Sequence, residues 1–193
     1  MTLRTGFLAT LILLLGSASA SAQVPVPIRL MQYSAKFLCG DAKEGGVGVR
    51  PGVYETSINI HNPEFPGTQQ PVAFVKKAVR SPREGEDQFK FGRFVLDRLP
   101  ADLSEQVDCK IIRSILDPSA ASAAFIEGFV VLIVIPNPLP TPHELDVVGV
   151  YTVDTPQGGI SLEMVPVAAR TLSLPGPAGR RMLNQLLEQA KPQ

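Results

Sequence analysis

VYETSINIH, residues 53–61, decides the fold class, because apolar and polar side chains alternate along its length. One face carries Tyr54, Thr56, Ile58 and Ile60, and the other carries Glu55, Ser57, Asn59 and His61. Successive side chains of a β-strand point to opposite faces, so the pattern predicts a strand with one buried face. Asn62 and Pro63 follow directly and predict its end.

Further strand candidates lie on both sides of this stretch, separated by turns rich in Pro, Gly and Asn. The predicted strands are residues 31–39, 53–61, 72–79, 89–96, 107–112, 125–135, 145–154 and 160–167. Segment 107–112 fits either a short strand or the start of a helical turn. Many short strands with regular turns favour an antiparallel β-sandwich, immunoglobulin-like in broad architecture. The chain has no Trp, so the inner Trp of antibody domains is absent.

Side-chain patterns within these strands predict which residues enter the core. Residues 125–135 end in a run of Val, Leu and Ile before Pro136, which predicts a strand buried on both faces. In strand 89–96 we expect Phe89, Phe91 and Val95 to point inward. In strand 160–167, alternate apolar residues share one face; they are Ile160, Leu162 and Met164.

The termini differ from the predicted β domain at residues 31–170. Residues 1–22 combine Arg4, a short apolar core and an Ala-Ser-Ala ending, and they predict a signal peptide cut before Gln23, with a cut after Ala20 as the alternative. Residues 23–30 form an extended leader, and 171–193 a linker and an amphipathic helix or tail. That helix could dock on the domain, fray or bind a partner. No segment of the mature chain has the length and apolarity of a transmembrane helix.

Cys39 and Cys109 are the chain's two cysteines. The signal peptide predicts an exported protein, periplasmic or extracellular, and oxidising compartments favour disulfides. We therefore expect a Cys39–Cys109 disulfide; two separate buried thiols are the alternative.

The charge balance narrows the range of partners. Eighteen Lys and Arg match eighteen Asp and Glu, which gives a net charge of +0 and no basic footprint for nucleic acid. Lys76 and Lys77 open a local cluster of charges that we expect to be solvated. Together with Asn59 and His61 on the polar strand face, they are the candidate binding side chains.

No motif in the sequence predicts catalysis, a metal or a cofactor. There is no C-x-x-C, H-x-x-x-H or G-x-S-x-G, and the glycines of residues 46–52 lack the Lys-Ser/Thr and the following helix of a phosphate loop. Glu144 and Asp146 are two carboxylates at positions i and i+2, and paired carboxylates can catalyse glycoside hydrolysis. Here a polar outer face of the strand explains them.

Several segments together resemble a group of uncharacterised exported bacterial proteins to which no function is assigned. They are Tyr33–Gly40, Pro51–Thr56, Ile58–Pro63, Phe74–Lys77, Val107–Lys110, Gly128–Val131, Leu145–Val148 and Val150–Thr152. The resemblance implies a secreted bacterial β domain and carries no functional residues with it.

These observations predict a non-catalytic binding or structural module of the bacterial envelope, with a protein or polysaccharide partner. Loops 40–52, 62–71 and 136–143 are the expected recognition loops. The alternative is a hydrolase acting on envelope polymer through a site that sequence does not show.

Overall fold

The computed structural model describes residues 27–43, 48–65, 67, 71–82, 90–117, 124–136 and 143–190. The predicted signal peptide, most of the predicted leader and Phe89 lie outside these residues. The described residues form ten strands and two helices: β1 (Ile28–Ala42), β2 (Gly52–His61), β3 (Val72–Arg80), β4 (Lys90–Phe91), β5 (Val95–Leu99), β6 (Ser104–Asp108), α1 (Cys109–Leu116), β7 (Ile126–Val134), β8 (Asp146–Asp154), β9 (Ile160–Pro166), β10 (Arg170–Leu174) and α2 (Gly176–Gln189).

The strands form two antiparallel sheets that share β1. Sheet A runs β10–β1–β7–β3, with β4 and β5 both pairing with β3. Sheet B centres on β2, which pairs with β8 on one side and with β6 on the other, and β9 extends it beyond β8. The last residues of β1, Gly40–Ala42, leave sheet A and pair with β2. Gly40 has φ 103°, a conformation that favours glycine at this crossing point.

The core lies between the sheets and is closed at one end by α1. It is built from alternate residues of β1, β2, β3 and β7, joined by side chains of β6, β8 and α1. Its fully buried large members include Tyr33, Phe37, Ile58, Ile60, Phe74, Val107, Ile112, Leu132 and Val134. The predicted all-β antiparallel sandwich with a short C-terminal helix is therefore confirmed.

Strand β2 follows the predicted alternation. Thr56, Ile58 and Ile60 are buried, whereas Glu55 and Asn59 are exposed. The buried Thr56 hydroxyl keeps its hydrogen bonds, because its Oγ1 accepts from the Leu38 N–H and donates to the Leu38 carbonyl, both at 2.9 Å. The hydroxyl thus links β1 to β2 just before their backbones begin to pair.

Residues 107–112 combine both structures that the sequence allowed. Val107 and Asp108 end β6, and α1 begins at Cys109. Asp108 caps the helix, since its Oδ1 accepts from the Ile111 N–H at 2.8 Å. Ile112 and Ile115 then reach the core.

The prediction that Phe91 points inward is wrong. Phe91 is exposed, because β4 is only two residues long and places it opposite Val79, on the outer face of sheet A. Residues 28–30, assigned to the leader, belong to β1. They pair with β10, a strand in residues that the sequence assigned to the domain's end and the linker.

Helix α2 docks on the outer face of sheet A. Leu186 packs with Leu30 and Ile133, and partly buried residues of β10 complete this second cluster. Gly179 allows the close approach, since a Cβ there would lie 2.7 Å from the Leu174 Cβ. No helix of the described residues is long and apolar enough to cross a membrane.

Candidate functional site

The four predicted binding side chains do not converge. Asn59 and His61 lie on the outer face of sheet B, where His61 Nδ1 is 3.2 Å from Asp146 Oδ2 and its Nε2 is 3.6 Å from Asp102 Oδ1. These carboxylates hold the ring against its own sheet and the neighbouring turn. Lys76 and Lys77 lie elsewhere, on β3.

Lys76 is buried between the sheets, so the prediction that it is solvated is wrong. Its register on β3 places it opposite Leu132, on the core face, and it is only 5% exposed. Nζ lies 2.7 Å from Asp97 Oδ2 on β5 and also contacts Glu105 Oε1 on β6. Lys77 points to the outer face of sheet A, with Nζ 5.1 Å from the centre of the Phe94 ring.

Two of the predicted recognition loops meet at one end of the sandwich. His143 is buried, and its Nδ1 lies 3.3 Å from Glu64 Oε1, which ties loop 136–143 to loop 62–71. A small cleft of about 190 Å³ lies beside it, between Arg98 and Pro136. The tips of both loops, residues 68–70 and 137–142, lie outside the described residues, as do residues 44–47 of the third loop.

A shallow groove runs between β1 and the inner face of the β8–β9 hairpin. One part, of about 330 Å³, is lined by Tyr54, Tyr151 and Glu163 among others. The Tyr151 hydroxyl donates to the Lys36 carbonyl at 2.9 Å, and the Tyr54 hydroxyl donates to the Arg50 carbonyl at 2.7 Å. Burial, and then the charge of Glu163, raise the pKa of Tyr151. Both tyrosine hydroxyls are therefore occupied by backbone carbonyls of this chain.

The hairpin of β8 and β9 exposes several large apolar side chains, all of them on β9. Its turn is the predicted Thr155–Gly159, with Gly158 at φ 81° as three-residue hairpin loops require. The exposed fraction is 80% for Ile160, 62% for Leu162 and 68% for Met164. They share one face, as predicted, but it is the outer face of sheet B, because the register places Glu163 beside Tyr151 on the inner face.

Strand β9 is also an open edge. It pairs with β8 along its length, and no strand of the described residues pairs with its other side. Exposed edge strands present unpaired N–H and C=O groups that can template another strand, and proteins usually protect them with charges, Pro or bulges. Here only Glu163 and the terminal Pro166 offer such protection. The sequence shows the alternating apolar residues of 160–166, with Glu163 as their one charge, but not the position of the strand in the sheet.

The fold and surface thus define an antiparallel β-sandwich domain, joined across its sheets by one disulfide, with an open apolar edge. Within the described residues no group of three or more His, Cys, Asp or Glu side chains could hold a metal ion. Comparison with protein families, with curated proteins and with solved structures finds no match.

Proposed function

We propose that this protein is a non-catalytic exported module of the bacterial envelope that engages a protein through the edge of β9. The observation that carries the proposal is the seven-residue apolar edge strand, exposed on every residue. Contiguous exposed apolar surface on a folded domain is a mark of interaction sites.

The chemistry of this edge favours a protein over a polysaccharide. A protein strand added to β9 satisfies its free backbone groups, and its side chains cover the apolar face, as in β-strand addition. A glycan would leave the N–H and C=O ladder poorly matched and would cover Leu162 and Met164 with hydroxyl-rich surface.

The remainder of the molecule supports a rigid scaffold rather than a catalyst. The Cys39–Cys109 disulfide, whose cysteines are 70 residues apart in the sequence, fits an oxidising compartment. The N-terminal signal pattern and the resemblance to exported bacterial proteins support the same compartment. In the groove, the tyrosine hydroxyls serve backbone carbonyls, which favours structure over acid–base chemistry.

The test is partner capture in the native compartment from the full chain carrying a C-terminal tag. Light cross-linking and mass spectrometry would compare wild type with Leu162→Lys. The matched control is Val53→Lys, which adds the same charge at another exposed apolar residue of sheet B, but on the internal strand β2.

We expect a protein to be captured by wild type and by Val53→Lys but lost from Leu162→Lys, with all three chains showing the same circular dichroism. Capture that survives Leu162→Lys and disappears when residues 136–143 are replaced by Gly and Ser would move the interface to the loops. It would overturn the edge-strand proposal, as would capture of nothing above background, neither another protein nor a cross-linked second copy of this chain.

A further inference from the structure

The free edge of β9 has a defined hydrogen-bonding pattern. The Val167 N–H donates to the Val147 carbonyl at 2.8 Å, and the Thr155 N–H donates to the Gly159 carbonyl at 3.1 Å. Both bonds belong to the β8–β9 register, in which Tyr151 pairs with Glu163. Hydrogen-bonded pairs alternate along an antiparallel ladder, so the odd-numbered residues of β9 turn their N–H and C=O toward β8.

The even-numbered residues consequently turn their backbone groups outward. Ile160, Leu162 and Met164 each present on the edge an N–H and a C=O that no strand of the described residues pairs with, and each also exposes its side chain on the outer face. Pro166 has no N–H and ends the series, as expected of a Pro on an edge strand. The edge therefore offers three consecutive outward-facing sites, centred on Leu162.

We propose that β9 pairs with β9 of a second copy of this chain, antiparallel, about a two-fold axis at Leu162. This inference rests on the proposed function and names its partner. In this register Leu162 faces Leu162 of the second copy, and Ile160 faces its Met164. The two-fold axis repeats the Ile160–Met164 pair, so there are three pairs. Each is of the hydrogen-bonded type and exchanges two bonds, which gives about six backbone hydrogen bonds.

Like-charge repulsion and backbone hydrogen bonding favour this register over its two neighbours. On the inner face it places Glu163 opposite Ser161 of the second copy, so a carboxylate meets a hydroxyl. An axis at Glu163 would set two glutamates directly opposite each other, which is destabilising, and would place Ile160 opposite Pro166, which cannot donate. An axis at Ser161 would move Met164 opposite Gly158 in the turn and leave its side chain uncovered.

The same pattern favours a second copy over an unrelated strand. Residues 160–164 have apolar side chains at both ends and at the centre, with one neutral and one acidic residue between them. The sequence is thus complementary to itself when reversed about Leu162, as a two-fold interface requires. Because one strand from each copy is a small interface, we expect a dimer that dissociates on dilution.

The first test uses sedimentation of the mature chain over a concentration series. Leu162→Lys places two ammonium groups at the two-fold axis and should raise the dimer dissociation constant by roughly tenfold or more. Val53→Lys is the control and should dimerise as wild type does. A wild-type chain that remains monomeric at the highest soluble concentration would overturn the inference.

The second test checks the register by introducing opposite charges at residues 160 and 164, which face each other across the proposed interface. Ile160→Lys and Met164→Glu should each weaken the dimer. Combined in one chain they should restore it, because each lysine then faces a glutamate of the second copy. If the double variant is weaker than both single variants, the proposed register is wrong.

The third test reads distance. The Cα atoms of a hydrogen-bonded antiparallel pair lie about 5.5 Å apart, within disulfide range, so Leu162→Cys should cross-link two copies under mild oxidation. In Met164→Cys the two thiols are offset by four residues, about 13 Å along the strand, and should not cross-link. The native cysteines do not interfere because both are already paired. Equal cross-linking of the two variants would contradict the axis at Leu162.

These outcomes separate the inference from the proposed function. If the chain is monomeric while the capture experiment yields a different protein through Leu162, self-pairing is wrong and the edge-strand module remains. If capture and self-association are both insensitive to Leu162→Lys, both proposals are wrong.

Discussion

At the residue scale, Lys76 joins the two sheets electrostatically from inside the sandwich. Asp97 comes from sheet A and Glu105 from sheet B, and one ammonium group serves both carboxylates. Removing one member of a buried ion pair leaves an uncompensated charge, which costs more than the pair contributes.

We predict that Lys76→Met lowers the free energy of unfolding by about 3–5 kcal/mol, because two carboxylates then remain between the sheets. Lys77→Met is the matched control on the next residue. It removes only the contact with the Phe94 ring, worth about 0.5–1 kcal/mol. Urea unfolding measured at neutral pH compares the two variants, and equal losses would contradict the assigned role of Lys76.

Alkaline pH should weaken the fold. Burial by itself lowers the pKa of Lys76, but its hydrogen bonds and charge attraction to Asp97 and Glu105 outweigh it, so the pKa lies above its ordinary 10.5. Burial also raises the pKa of Tyr33 above its ordinary 10.0. In both cases the folded state retains a proton that the unfolded state has lost, so their contribution is complete below these ordinary values and is lost as pH rises through the folded pKa values.

The measurement is urea unfolding at intervals from neutral pH to beyond pH 10.5, the ordinary pKa of Lys76. We expect the free energy of unfolding to fall with rising pH, and the fall to be smaller in Lys76→Met. A variant whose stability falls as steeply as that of wild type would show that Lys76 does not contribute to the alkaline loss.

At the scale of elements, periodicity located most of the long strands but not their neighbours in the sheets. The alternation of residues 53–61 predicted β2 and its buried face, because an internal strand covered on one side shows its burial in its pattern. Residues 160–166 alternate in the same way, yet β9 is uncovered, since its place at the sheet edge depends on chain topology. Likewise β10 is too short and polar to stand out, and only its pairing with β1 makes it a strand.

For the four candidate binding side chains, too, the sequence shows the residue types but not where the fold places them. Asn59, His61, Lys76 and Lys77 have polar side chains, which sequence detects, but their positions in two different sheets separate them. Lys76 could not be recognised as buried because its two carboxylate partners lie on other strands, 21 and 29 residues away in the chain. The disulfide was predictable because only two cysteines exist and each could pair only with the other.

Helix α2 should contribute to stability through one face. Leu186 is 8% exposed and contacts the cluster around Leu30, whereas Met182 is 44% exposed. We predict that Leu186→Ala costs about 2–3 kcal/mol and Met182→Ala less than about 0.5 kcal/mol. Thermal and urea unfolding of both variants provide the comparison. Equal effects would indicate that α2 does not dock through Leu186.

At the scale of the whole molecule, three kinds of interaction hold the two sheets together. The apolar core supplies most of the packing, the Lys76 cluster joins the sheets electrostatically, and the disulfide joins them covalently. Cys39 lies on β1, and Cys109 follows β6 of sheet B as the first residue of α1. A rigid scaffold of this kind can keep an edge strand such as β9 exposed and in place.

The disulfide should stabilise the fold mainly by restricting the unfolded chain, because its cysteines are 70 residues apart in the sequence. The chain-entropy relation then gives about 4 kcal/mol. We predict that the double variant Cys39→Ala/Cys109→Ala loses about this amount and that its unfolding depends more steeply on urea, since the unlinked chain exposes more surface. Wild type measured under reduction is the matched control, because its thiols keep nearly the same volume in the core. If the double variant loses stability while the reduced wild type does not, the loss comes from the cavity at Cys39 and not from the missing link, and the sheets hold together without the covalent bond.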